Sequence, residues 1–215
     1  MSEPGPCPLC GKPLYGWIAL PAPGAETSIG VPLADRERER VIDRCESCGV
    51  AVERDREVEL AAEWEAVCRP GEPGAREILL PNRASLQAWI GEVGWAAIDR
   101  FPGRLMHTRT SLELLAQRNG HALERVRTPP SRHAQAWMWQ TMLNGLTFHP
   151  NFAREVRAGR LRPSTSRGRF AFAIDAVVTV LGAPLVLLLS APLELGASLA
   201  RRGGELAATA RRDRA

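Results

Sequence analysis

The chain has 215 residues, a formal net charge of +4 and five cysteines. That length can bury the core of one or two domains, and two cysteine pairs plus a single residue are too few for the disulfide framework of a small secreted protein. The mild charge names no partner, and with Lys12 the only lysine among 28 basic residues the arginine excess reads as GC-rich coding bias before function.

The first ten residues, MSEPGPCPLC, contain neither a basic n-region nor an apolar h-region, so no signal peptide is expected and a reducing cytoplasmic setting follows. Two Cys-x-x-Cys-Gly turns stand at 7–11 and 45–49. Each bends the chain until two sulfurs face one point, and the glycine relieves the turn. Cys7, Cys10, Cys45 and Cys48 thus predict a closed tetrahedral site for structural Zn²⁺, with no open position for Lewis-acid chemistry. A redox dithiol or disulfides are the alternatives. The 34 residues between Cys10 and Cys45 exceed a minimal zinc ribbon, so an elaborated hairpin is expected, with the charged run 35–44 leading into a short solvated strand.

Further along, Leu60, Trp64, Val67 and Cys68 share a helical face, which assigns Cys68 to core packing. A Pro/Gly break at 69–74 precedes a short apolar strand at 77–82 that stops at Pro81-Asn82. Leu86, Trp89, Ile90, Val93 and Ala97 then recur at helical spacing. The 110–120 segment opens with Thr110 and Glu113 in capping-box spacing and ends at Gly120, and 121–128 follows as a strand stopped by Pro129-Pro130.

This succession resembles class I S-adenosylmethionine-dependent methyltransferases, particularly bacterial forms with an N-terminal four-cysteine zinc ribbon. The matching residues are Pro70-Gly71, Pro81-Asn82, Trp95, Leu105-Met106-His107, Ser111-Leu112, Leu115 and Gly120, and 203–212 is similar to the family's last strand, which pairs with the penultimate one. The departure lies between Cys48 and Ile78, where no Gly-rich strand–loop–helix and no ribose-binding acid occur. The resemblance therefore implies a ribbon joined to the second half of the fold, with no S-adenosylmethionine site and no catalytic residue to carry over. If another subunit completed the sheet, Asn82, Trp95 and His107 would lie near substrate; read without that, His107 is a loop or surface histidine. His121, His133 and His149 are too dispersed for a metal site.

Residues 131–152 hold Ala136, Trp139, Leu143 and Leu146 at helical spacing, with Trp137 and Gln140 beside them. Beyond, Ala176 to Leu193 is free of charge for eighteen residues, about 27 Å as a helix against a hydrocarbon core of roughly 30 Å. Pro184 and Pro192 interrupt it, and arginines flank both ends: Arg154, Arg157, Arg160, Arg162, Arg167 and Arg169 before, Arg201, Arg202, Arg211, Arg212 and Arg214 after. Symmetric flanks favour a kinked helix or re-entrant hairpin with both ends on the cytoplasmic face of the membrane. A buried hairpin of a soluble domain and a single span are the other readings.

The expected fold is α+β: a zinc ribbon (1–55), a truncated methyltransferase-like α/β half-domain (56–130), an aromatic helix with the apolar helical insertion (131–200), and a last strand with a basic tail (201–215). The expected role is a methyltransferase-related zinc-ribbon protein that is non-catalytic alone and works at the inner-membrane surface. Its expected partner is a protein, a second copy or an intact methyltransferase. Nucleic acid is disfavoured, because acids nearly balance arginines around the knuckles.

Overall fold

In this computed structural model residues 3–21, 39–98, 104–159, 161–163 and 166–213 are described. The fold is mixed α+β. β1 (Leu14–Pro21), β2 (Glu39–Cys45) and β3 (Ala51–Glu53) form the first antiparallel sheet, in that order. The β1–β2 hairpin joins the two knuckles; its intervening segment 22–38, with residues 35–38 of the charged run, lies outside the described residues. Where that run is described it is cross-strand pairing: Arg40 reaches Glu53 at 2.9 Å and Arg54 grips buried Asp43 at 2.6 and 3.0 Å.

The second sheet interleaves distant parts of the chain. α1 (Leu60–Val67) leads directly into β4 (Cys68–Pro70), which forms a hairpin with β5 (Ala75–Pro81); β6 (His121–Arg127) and β7 (Glu205–Arg212) complete the order β4-β5-β7-β6, antiparallel throughout. β7 pairs with β6, the strand before it in the chain, as the sequence leads one to expect of 203–212. On the β5 side the sheet ends in three-residue β4, whose Pro70 cannot donate to a further strand, so the edge is short and blunted.

α3 (Arg109–Arg118) and α1 cover one face. Leu112, Leu115 and Trp64 meet Ile78, Leu80, Leu206, Ala208 and Ala210 there, and the same cluster takes in Leu9, Val50, Val52 and the knuckle cysteines. The core of the ribbon is therefore continuous with that of the second sheet. Cys68 is not helical, because its backbone pairs with Ile78; it packs half-buried at the strand start, with burial pushing its thiol up to about 11.

Two further expectations need correction. The stretch from Leu86 is a short helix, α2 (Leu86–Gly91), followed by a 3-10 turn (Glu92–Gly94), and its apolar positions point outward: Trp89 is 68% exposed, and Ile90 and Val93 are exposed too. Of the spaced set Leu86 is half-buried and Ala97 buried, along with Gln87, Ala88, Trp95 and Ile98. The cap of α3 is Thr108, two residues before the expected Thr110, in a reciprocal box with Ser111; Gly120 does take the left-handed conformation after the helix.

α4 (Arg132–Asn144) and α5 (Phe152–Arg157) lie along α6 (Ser166–Leu199), a single continuous helix of 34 residues, about 51 Å. It is neither a re-entrant nor a helical hairpin. Pro184 and Pro192 are accommodated within it, and Trp139 of α4 donates its indole N–H to the Ala183 carbonyl at 3.0 Å. On α4 the buried positions are Ala134, Met138, Thr141, Leu143 and Asn144, while Ala136 and Leu146 of the expected stripe are exposed.

Candidate metal centre and inverted helix

Each knuckle closes through backbone geometry. The amides of Gly11 and Gly49 donate to the Cys7 and Cys45 carbonyls at 2.9 Å, and both glycines adopt positive φ, +72° and +75°. Four sulfurs result, all within 4.8 Å of one another, with Cys7–Cys48 at 3.7 Å and Cys10–Cys45 at 3.4 Å. A tetrahedron of sulfurs about 2.3 Å from a central ion has edges of about 3.8 Å, so the donor set fits a metal ion such as zinc. All five cysteines are free thiols.

Local electrostatics differ among the four. Burial pushes the Cys7 and Cys48 thiols up. At Cys45 burial acts in the same sense, but the Cys48 amide, the Cys10 thiol and the Ser47 amide outweigh it and bring the thiol down to about 7. A bound cation would draw all four toward the thiolate.

The centre is tied to the rest of the chain at its second knuckle. Thr108 Oγ1 donates to the Cys48 carbonyl at 2.6 Å while capping α3, Ala51 and Met106 exchange backbone hydrogen bonds, and a Cβ at Gly49 would come within 2.7 Å of Thr108 Cγ2. Arg83 stacks 3.6 Å above the Trp17 ring of β1, and burial, with Arg44 nearby, draws its guanidinium down to about 10.

His107 is not at the surface. It is buried, 3.6 Å from Glu63 across Nε2, with Nδ1 at 3.3 Å from Ser111 Oγ. Trp95 is buried as well, and the Asn82 side chain is spent on the Gly203 carbonyl and the Ala84 amide. The other histidines stand apart: His121 against Trp64, exposed His133 near Trp137, and buried His149 at 2.6 Å from Asp175.

The feature that residue-by-residue reading missed is the polarity of α6. Asp175, Ser190, Glu194 and Ser198 face inward, Asp175 and Glu194 being 0% and 2% exposed. Asp175 accepts from the Phe148 and His149 amides, and Glu194 from the Gly204 amide and the Gln87 side chain, whose nitrogen also reaches the Ala134 carbonyl. Outward stand Phe170, Val177, Val180, Leu181, Leu185, Leu188, Leu195 and Leu199, with Leu181 and Leu188 more than 70% exposed. By length and composition α6 suffices to cross a membrane, and only 11% of its most apolar window is buried. No family model, curated protein or solved structure matches the chain.

Proposed function

We propose that this protein is a zinc-ribbon protein of the cytoplasmic membrane surface, related to class I S-adenosylmethionine-dependent methyltransferases and non-catalytic alone, that serves as partner or regulator of an enzyme acting there, in glycan or lipid methylation. The observation that carries the membrane part is the inversion of α6, polar toward its own protein and leucine-rich toward the outside. Water penalises that arrangement; an acyl environment rewards it.

Placement in the plane of the interface fits better than a span. α4 runs along the polar side of α6 and carries exposed Arg132 and His133, which hydrocarbon would penalise but the water side accepts. Exposed arginines at both ends of α6, Arg167 and Arg169 before the apolar face and Arg201 and Arg202 after it, then both meet headgroups of one leaflet. For the ribbon, the reading takes zinc as the ion, structural because four sulfurs leave no open position.

Kinship with methyltransferases is supported by the order of elements: a strand ending Pro81-Asn82, a Ser-Leu helix, Gly120, the penultimate strand, the insertion, and the last strand pairing with the penultimate one. The reading in which another subunit completes a catalytic site is weakened, because Asn82, Trp95 and His107 are buried and β4 already occupies the edge beside β5.

Flotation tests the reading: full-length protein should rise with phospholipid vesicles in a density gradient, and protein left at the bottom would refute the membrane assignment. Calorimetry with S-adenosylmethionine should give no binding heat, and micromolar binding would refute the non-catalytic assignment.

A further inference from the structure

Where α6 hands over to β7, a cavity of about 640 Å³ opens beside the sheet. Arg109, Arg127 and Arg201 line it, with Asn82, Thr128 and Ser198 as uncharged polar neighbours, and no carboxylate is among the lining residues. Arg109 shares its charge with Glu113, but among the described residues neither Arg127 nor Arg201 has a carboxylate in salt-bridge range. An anion seated in this concavity would meet both guanidiniums with no carboxylate among the lining residues to oppose it. Arg109 is also the first residue of α3, so the positive end of that helix dipole lies at the same place.

The position of the cavity selects the anion. Ser198 belongs to the last turn of α6, and Arg201 caps that helix in the left-handed conformation (φ +59°) that glycine normally takes, while the Arg202 amide returns to the Ala197 carbonyl at 2.7 Å. Leu195 and Leu199, the last members of the exposed apolar face, lie within a turn or two of these residues. An anion with acyl chains attached therefore fits the junction, its charge among the arginines and its chains along the leucines.

We propose that this cavity binds the phosphate of an anionic phospholipid headgroup. The choice of a lipid over a free anion rests on the membrane reading above; the charge and shape of the cavity do not. Arg127 and Arg201 hold the phosphate through their guanidinium N–H groups.

The test uses full-length protein and a short-chain phosphatidic acid below its micelle concentration, titrated by calorimetry beside inorganic phosphate. Saturable one-site binding of the lipid is expected, at least tenfold tighter than phosphate. The double variant Arg127→Gln/Arg201→Gln should lose it at least tenfold, whereas Arg167→Gln/Arg169→Gln at the other end of α6 should retain it. Flotation of the parent protein on neutral vesicles reads the membrane assignment independently, and an unchanged thermal melt of the Arg127/Arg201 variant certifies its fold. No lipid binding, equal loss in both double variants, or phosphate binding as tightly as the lipid would each overturn the proposal.

Discussion

The ribbon and α6 obey opposite solvents. In the ribbon, Leu9, Ile42 and Val50 are fully buried and the inward charges are paired, as folding in water demands. Along α6 Asp175, Ser190, Glu194 and Ser198 are buried and the leucines are bare. The four sulfurs of the first region fit a metal ion, and the outward face of the second is long and apolar enough to cross a membrane. The metal reading of the first and the membrane reading of the second are separable by experiment.

The largest effect should come from the metal. Structural zinc contributes about 10–16 kcal/mol to small ribbon and finger domains, so Cys45→Ser or chelation should abolish cooperative unfolding of the ribbon and, because the core is continuous, loosen α3 and the second sheet as well. Elemental analysis should give one zinc per chain before treatment, and a thermal melt unchanged by chelation would contradict this. Next in size is the apolar face. Replacing Leu181, Leu185 and Leu188 by Gln removes at least about 1 kcal/mol of apolar burial each, so vesicle partitioning should fall on the order of 100-fold while the ribbon melt is unmoved. If both change together, the two regions are not separable.

Smaller effects sharpen the inner side of α6. Glu194→Ala leaves the Gly204 amide and the Gln87 side chain without their acceptor and should cost about 2 kcal/mol in denaturant unfolding. Gly204→Ala forces a Cβ into the Gln87 amide and should be comparably harmful. Thr108→Ala removes both the α3 cap and the bond to Cys48 and should cost about 1–2 kcal/mol. A neutral result at Thr108 would mean that the ribbon is not anchored there.

The metal cluster was legible because Cys-x-x-Cys-Gly is a local instruction: spacing and glycine alone make two thiols converge. Strand β5 and strand β6 were legible for similar reasons, bounded by Pro81-Asn82 and Pro129-Pro130. What failed depended on distant partners. Thr108 and Thr110 both precede a residue suited to capping, and the choice goes to Thr108, whose hydroxyl also reaches the Cys48 carbonyl sixty residues away. Cys68 continues a helical pattern, yet strand pairing with Ile78 takes its backbone. His107 carries no local mark of burial; only the packing of α1 against its loop puts Glu63 beside it.

The outward face of α2 runs against the usual rule for water. Apolar faces turn inward in water, which would bury Leu86, Trp89, Ile90 and Val93. The structure turns Gln87 inward instead, where its amide bridges the Ala134 carbonyl and Glu194, and leaves Trp89, Ile90 and Val93 bare. The same inversion governs α6 and the exposed Leu146 and Phe148 after α4. Apolar spacing alone does not say which way such a face turns; that depends on what surrounds it.

The most direct measurement is a spin-label scan of α6 on vesicles, comparing accessibility to oxygen and to a water-soluble paramagnet. Labels at Leu181, Leu185 and Leu188 should favour oxygen at one shallow depth, a label at Ser190 should be shielded from both, and labels at Arg167 and Arg201 should favour the aqueous reagent. Water access at all three leucines would contradict lipid contact, and a steady change of depth along the helix would contradict its lying in the plane of the interface.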